Sequence, residues 1–245
     1  MSEELKLRYY VTPSNLASYF GCGFNSPEEQ FAIDTGEEAS VFDDDSKARM
    51  SLGNHLEDAV IEYFQNDVFQ TPITDRNTEL KTGYDGKVKY KIDGMMEYKG
   101  EKVIFENKIS NSQSYKFTEN LGYEIQVQTY MLCEGLNGAI LAGLYQGKPI
   151  WRFIERNEEM IEDIKTMIDF LIDSLGGMVD FYKDFPVDLL EKYGRTKIYE
   201  PIENLSAITV EYLHKLAELT EKKKEIDREI KELKAEHEND FEISE

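Results

Sequence analysis

The chain is predicted to fold as an α/β (α+β) domain. Two observations predict it. Alternating apolar and polar residues mark strands between positions 87 and 109 and again at 138–146 and 149–155. Segments with apolar residues at helical spacing lie before, between and after them, at 12–20, 50–67, 121–135 and 157–183.

The first helix is expected over 12–20, with Thr12 or Ser14 as its cap and Pro13 in its first turn. Residues 25–46 are polar, acidic and poorly periodic, and read as a surface loop. Leu52, Leu56, Val60, Tyr63 and Phe64 form one stripe of a helix over 50–67, followed by a strand or loop at 71–82. Residues 111–119 connect to the helix at 121–135, and the long helix of 157–183 is interrupted or ended near Gly176-Gly177. A polar, proline-containing linker covers 184–205. Beyond it, Tyr212, Leu216, Leu219, Lys223, Ile226, Ile230, Leu233 and His237 follow the four-and-three spacing of a heptad seam. Two of those eight positions are polar, so the seam is weak, and a helix packed on its own domain fits equally well. The expected division is a main domain at 1–205 and a charged helical extension at 206–245.

The stretch KYKIDGMMEYKGEKVIFENKIS carries the chemistry. It reads as a half-buried hairpin of two strands joined at Lys99-Gly100. With that loop, Asp93 falls opposite Glu106, and facing Cβ atoms in a hairpin lie about 5 Å apart. Two carboxylates so close repel unless a cation separates them. Lys108, two residues along on the same face, supplies one positive charge, and a divalent cation would supply more. Mg²⁺ takes one or two carboxylates plus water and phosphate oxygens. The trio therefore suits a metal and a phosphodiester. The same pattern also describes an ordinary surface hairpin, and a one-residue slip would remove the pairing.

Glu57 shares the apolar stripe of its helix with Gly53, Val60, Ile61 and Phe64, an unfavourable place for an acid unless it is paired, metal-bound or reaches water. His55 points to the opposite side. On helix 121–135, Gln126 and Tyr130 share a face, and Gln126 could orient a water or a phosphate, or be merely solvated. Arg8 and Ser14 could form an anion pocket at the start of the first helix.

Composition narrows the classes. There is no run of about 18 apolar residues, so no membrane span is expected, and no signal-peptide pattern opens the chain. Cys22 and Cys133 are the only cysteines, too few for an iron–sulfur cluster, and a cytoplasmic location is expected. CxxC, P-loop, GxSxG and GxGxxG motifs are absent. The net charge of −21 opposes DNA binding, which is driven by phosphate neutralisation.

In order, the chain holds Ser14, GNHLE with Glu57, IDG with Asp93, ENK with Glu106 and Lys108, and IQVQTYM with Gln126. This series resembles the PD-(D/E)xK nuclease superfamily, and within it the lambda-exonuclease/YqaJ group of phage recombination nucleases, over about residues 5–180. The resemblance implies a central mixed β-sheet flanked by helices, a restriction-endonuclease-like core. It implies Asp93, Glu106 and Glu57 around Mg²⁺ or Mn²⁺, with Lys108 orienting the attacking water and Gln126 positioning substrate or Lys108. It implies Ser14 and Arg8 as the pocket for a 5′-phosphate. It further implies a 5′-to-3′ exonuclease on linear duplex ends for single-strand-annealing recombination, encoded by a phage or prophage and acting in the bacterial cytoplasm. A homo-oligomer, commonly a trimeric ring, and an annealing-protein partner follow from the same resemblance. A RecB/Cas4-like or structure-selective endonuclease is the alternative enzyme, and a catalytically silent acidic scaffold for a recombination protein is the alternative of another class.

Overall fold

The computed structural model describes residues 9–40, 44–76, 79–110 and 116–194. Arg8 and the expected 206–245 extension lie outside the described residues. The elements run α1 (Pro13–Tyr19), α2 (Pro27–Thr35), α3 (Asp44–Tyr63), β1 (Lys81–Gly83), β2 (Val88–Tyr90), β3 (Gly94–Tyr98), β4 (Glu101–Ser110), α4 (Leu121–Glu134), β5 (Gly138–Tyr145), β6 (Lys148–Glu155), α5 (Glu158–Leu175), α6 (Phe181–Asp184) and α7 (Val187–Tyr193). The α+β class is as expected.

Strands β3-β4-β5-β6 form a mixed four-stranded sheet in that order, antiparallel at both flanks and parallel between β4 and β5. The parallel pair requires a crossover, and α4 supplies it. The β3–β4 register is the expected one, with Gly94 opposite Phe105 and Tyr98 opposite Glu101. Lys99 and Gly100 both take positive φ, 54° and 85°, as a two-residue hairpin turn of matching twist demands.

Helices cover both faces of the sheet. On one, Ile104, Ala139 and Leu141 pack with Ile125 and Met131 of α4 and with Met160, Ile164, Met167, Ile168 and Leu171 of α5. On the other, Val103, Phe105, Ile140 and Ala142 pack with Val60, Ile61 and Phe64 of α3 and its π-helical continuation Phe64–Val68.

Several expectations need correction. The hairpin is not half-buried: β4 lies inside the sheet under helices on both sides, so Val103 through Asn107 are all buried. The stretch 87–98 is not one strand. Val88–Tyr90 pairs with β1 in a separate two-stranded sheet, and Val11 joins Val88 in an isolated bridge. The chain leaves that ladder at Lys91–Asp93 before β3 begins. Residues 25–46 are not all loop, because Ser26 and Glu29 form a reciprocal capping box that starts α2, with Pro27 at its first position. The segment 184–205 contains α7, held to α5 through Lys192 and Tyr193 on Asp163. The long helix that begins at Glu158 ends at Leu175 with Gly176 as its cap, where the expected break near Gly176-Gly177 falls. Among the described residues no helix is long and apolar enough to cross a membrane.

Candidate active site

The polar half of β4 begins where its apolar half ends. Glu106 follows Phe105 and is only 2% exposed. Its Oε1 accepts from Lys108 Nζ at 2.6 Å and from Gln126 Nε2 at 2.8 Å. Its Oε2 is buried and has no hydrogen-bond partner among the described residues. Buried acceptors in that condition are uncommon in folded proteins. Asp93 sits just ahead of β3, and its Oδ2 accepts from the Asn107 N–H at 2.8 Å. The hairpin therefore brings Asp93, Glu106 and Lys108 together as expected, although Asp93 docks on the β4 backbone rather than continuing the ladder.

Electrostatics follow from this burial. Desolvation, then the neighbouring Asp93, push the Glu106 carboxyl up to about 8. Burial disfavours the Lys108 ammonium, but Glu106 and Asp93 outweigh it and hold the lysine above its ordinary value. Lys108 also lies 5.1 Å from the centroid of the Tyr123 ring. The backbone of Lys108 is tightly placed. Gly143 faces it across the parallel ladder with φ of 149°, and a Cβ there would collide with the Lys108 carbonyl oxygen.

Gln126 reaches Glu106 from α4, where it is 6% exposed and also donates to Tyr130 Oη at 2.8 Å. Burial raises the Tyr130 phenol well above its ordinary value, so it stays protonated. The Tyr130 ring lies 6.0 Å from that of Tyr90, whose hydroxyl donates to Glu134. The connection of Gln126 to Glu106 is thus direct, and Tyr130 extends it. Helical spacing puts Tyr130 beside Gln126 without assigning it a role, and Tyr123, three residues before Gln126, belongs to no motif in the sequence.

Glu57 approaches from the other side, on α3. Its carboxyl is raised by burial first, then by Asp93 and Asp58, and lowered by Lys91 and Arg76. It thus senses Asp93. Glu57, Asp93 and Glu106 are nevertheless not drawn into one tight cluster, and no group of three His, Cys, Asp or Glu among the described residues is arranged to hold a metal ion. His55 is exposed and bonds the Ser51 carbonyl of its own helix. Ser14 is exposed on α1, 3.4 Å from Thr12 Oγ1.

Comparison with solved structures recovers this fold. The chain is similar to LHK-Exo in complex with dAMP (TM-score 0.55, 18% identity, covering 74% of this chain and 95% of that one). It is also similar to LHK-Exo, an alkaline exonuclease from Laribacter hongkongensis (0.53, 16%, 74% and 95%). A phage-related exonuclease from Haemophilus somnus 129PT aligns as well (0.51, 16%, 69% and 96%). At these identities the likeness is one of fold. A family model described as the RICH domain matches residues 186–244, a minority of the chain. No curated protein matches the sequence.

Proposed function

We propose that the chain is a metal-dependent DNA exonuclease that resects linear duplex ends, 5′ to 3′, within the PD-(D/E)xK group. The observation that carries this reading is the Glu106 carboxylate: one oxygen is fixed by Lys108 and Gln126, and the other is buried and unpartnered beside Asp93. That the fold neighbours are exonucleases supports it.

The residues fit a hard divalent cation, Mg²⁺ or Mn²⁺. Glu106 Oε2 and the Asp93 carboxylate are oxygen donors of the right kind, and Glu57, which acts electrostatically on both, would add negative charge nearby. When bound, the cation supplies charge for the phosphoryl oxygens and lowers the pKa of water. The chain's own groups do the rest. Lys108 holds the attacking water and donates toward the developing charge on phosphate oxygen. Gln126 fixes the Glu106 carboxylate in one orientation, and the Asn107 N–H does the same for Asp93. Water would attack phosphorus and give up a proton to solvent as the bond from phosphorus to the bridging oxygen breaks, and the leaving oxygen would take up a proton from solvent to depart as a hydroxyl.

Ser14 at the start of α1, with Arg8, is proposed to hold the 5′-phosphate that sets polarity. The net charge of −21 is accommodated if the chain forms a homo-oligomeric ring whose basic residues line a channel. A monomer in light scattering would remove that part of the reading. An annealing protein is the proposed partner, and the 206–245 extension a separate helical region.

The test is degradation of 5′-phosphorylated linear duplex with Mg²⁺ by wild type and Lys108→Ala. Wild type is expected to digest ends, and the variant to lose on the order of 10³-fold in rate, as loss of a positioned proton donor does. Cleavage of closed circles would make it an endonuclease. An inert wild type would leave the acidic scaffold.

A further inference from the structure

The segment between α3 and β1 has no periodic sequence signal, yet it lies along the outer edge of β3. Thr74 and Met95 exchange both backbone hydrogen bonds, at 2.7 and 2.8 Å, in an antiparallel bridge. The chain turns just beyond that bridge, at Asp75 with φ of 53°, and brings Arg76 beside the start of β3, next to Asp93 in the chain. The arginine packs over Gly94, whose added Cβ would meet Arg76 Cγ at 3.6 Å. Its guanidinium is close enough to Glu57 to stabilise that carboxylate. One of its terminal nitrogens donates to Asp58, which is 70% exposed. Its Nε is buried and has no hydrogen-bond partner among the described residues.

This is an unusual arrangement for an arginine that only neutralises its neighbours. An ion pair to a solvent-facing carboxylate contributes little and exchanges readily. A guanidinium presents a planar fork suited to two parallel bonds with phosphate oxygens, and here that fork is half used. It stands at the border of an acidic site that, on the nuclease reading, must receive a polyanion.

We propose that Arg76 is a phosphate-contacting residue, which rests on the nuclease reading of the same site. Its guanidinium engages a non-bridging oxygen of the bound DNA strand beside the Asp93–Glu106 pair and exchanges Asp58 for the phosphate. Asp58 holds the fork in place while the site is empty of DNA. The contact gives an acidic protein a local cation where the strand must pass.

The test uses the full chain in EDTA and a fluorescein-labelled, 5′-phosphorylated linear duplex, with binding followed by anisotropy across a salt series. Arg76→Gln is expected to weaken binding by about tenfold and to reduce the slope of log affinity against log salt by about 1, the signature of one lost phosphate contact. Arg76→Lys keeps the slope but binds a few-fold more weakly, because a point charge cannot reproduce the fork. Asp58→Asn tightens binding several-fold, whereas Glu62→Gln, which removes an exposed acid from the same helix, does not. An unchanged slope in Arg76→Gln, or equal tightening by Asp58→Asn and Glu62→Gln, overturns the proposal. If Arg76→Gln does not fold by circular dichroism, Arg76→Lys and Asp58→Asn decide it, and wild-type affinity in both overturns it. A wild type that neither binds nor cleaves duplex sinks the nuclease reading and this one together. A wild type that cleaves while the slope stays unchanged sinks Arg76 alone.

Discussion

The two flanks of the candidate site are built differently. On the α4 flank, Gln126 and Tyr130 are nearly inaccessible and bonded to each other, and Gln126 is bonded on to Glu106. On the α3 flank, Glu57 is partly exposed, Asp58 faces solvent, and Arg76 Nε has no hydrogen-bond partner among the described residues. The difference comes from which side chains the helices bury. α4 sits in the larger apolar cluster and holds its polar groups in a dry setting, where a hydrogen bond is strong and an unmade one is costly. α3 buries only its last turns, so its acids keep access to water. One flank is fixed before any ligand arrives, and the other can exchange partners.

The sharpest way to break that contrast is Glu106→Gln, because Glu106 is bonded to the fixed flank but is proposed to supply the charge that binds the cation. Cleavage is expected to fall on the order of 10³-fold or more. Stability should move the other way. Burial raises the carboxyl from its ordinary 4.5 to about 8, so folding favours the protonated form. That contribution is fully present below about 4.5 and is lost as pH rises through about 8. The metal-free wild type should therefore lose stability steadily as pH rises between those limits. The glutamine variant should not. Urea melts in EDTA at both ends of the range measure this, and a flat wild-type profile would refute it.

Gln126→Ala tests the fixed flank by itself. It strips one bond from Glu106 Oε1 and leaves the Tyr130 oxygen without its donor. The expected loss is about 1–3 kcal/mol of stability and about 10–100-fold in kcat, the range seen when a group that orients a ligand is removed. KM should hardly change. A KM that rises as much as kcat falls would mean that Gln126 touches DNA rather than orienting Glu106.

The sequence made the fixed flank readable and the open flank much less so. Lys99-Gly100 announces its own turn, and the turn sets the β3–β4 register that gathers Asp93, Glu106 and Lys108. Gln126 and Tyr130 share a helical face by spacing alone. These are local signals. Arg76 reaches the site only through the Thr74–Met95 bridge, a long-range pairing that leaves no periodicity in the segment 71–80. The break at Lys91–Asp93 was hidden for the same reason, since alternation continues across it while the strand's partners change. The burial of β4 depends on α3 and α4 covering opposite faces, which no single stretch encodes. Helix α2 is another case: the Ser26–Glu29 capping box that starts it lies within a stretch whose acidic, poorly periodic composition reads as loop.

Glu57→Gln gives the smallest expected effect and bears most directly on whether the flanks are independent. Burial, then Asp93 and Asp58, favour its protonated form, so any stability from that proton is present at low pH and lost as pH rises. The variant should be slightly more stable than wild type at neutral pH, by less than about 1 kcal/mol because solvent reaches the side chain. Cleavage should fall by about tenfold at most, since Glu57 senses Asp93 without joining it in a tight cluster. Combining it with Gln126→Ala closes a cycle across the site. Flanks that act separately give losses in kcat that add in free energy within about 0.5 kcal/mol. A larger coupling would mean that the open flank is ordered through the fixed one, and the distinction between them would then hold only for the DNA-free protein.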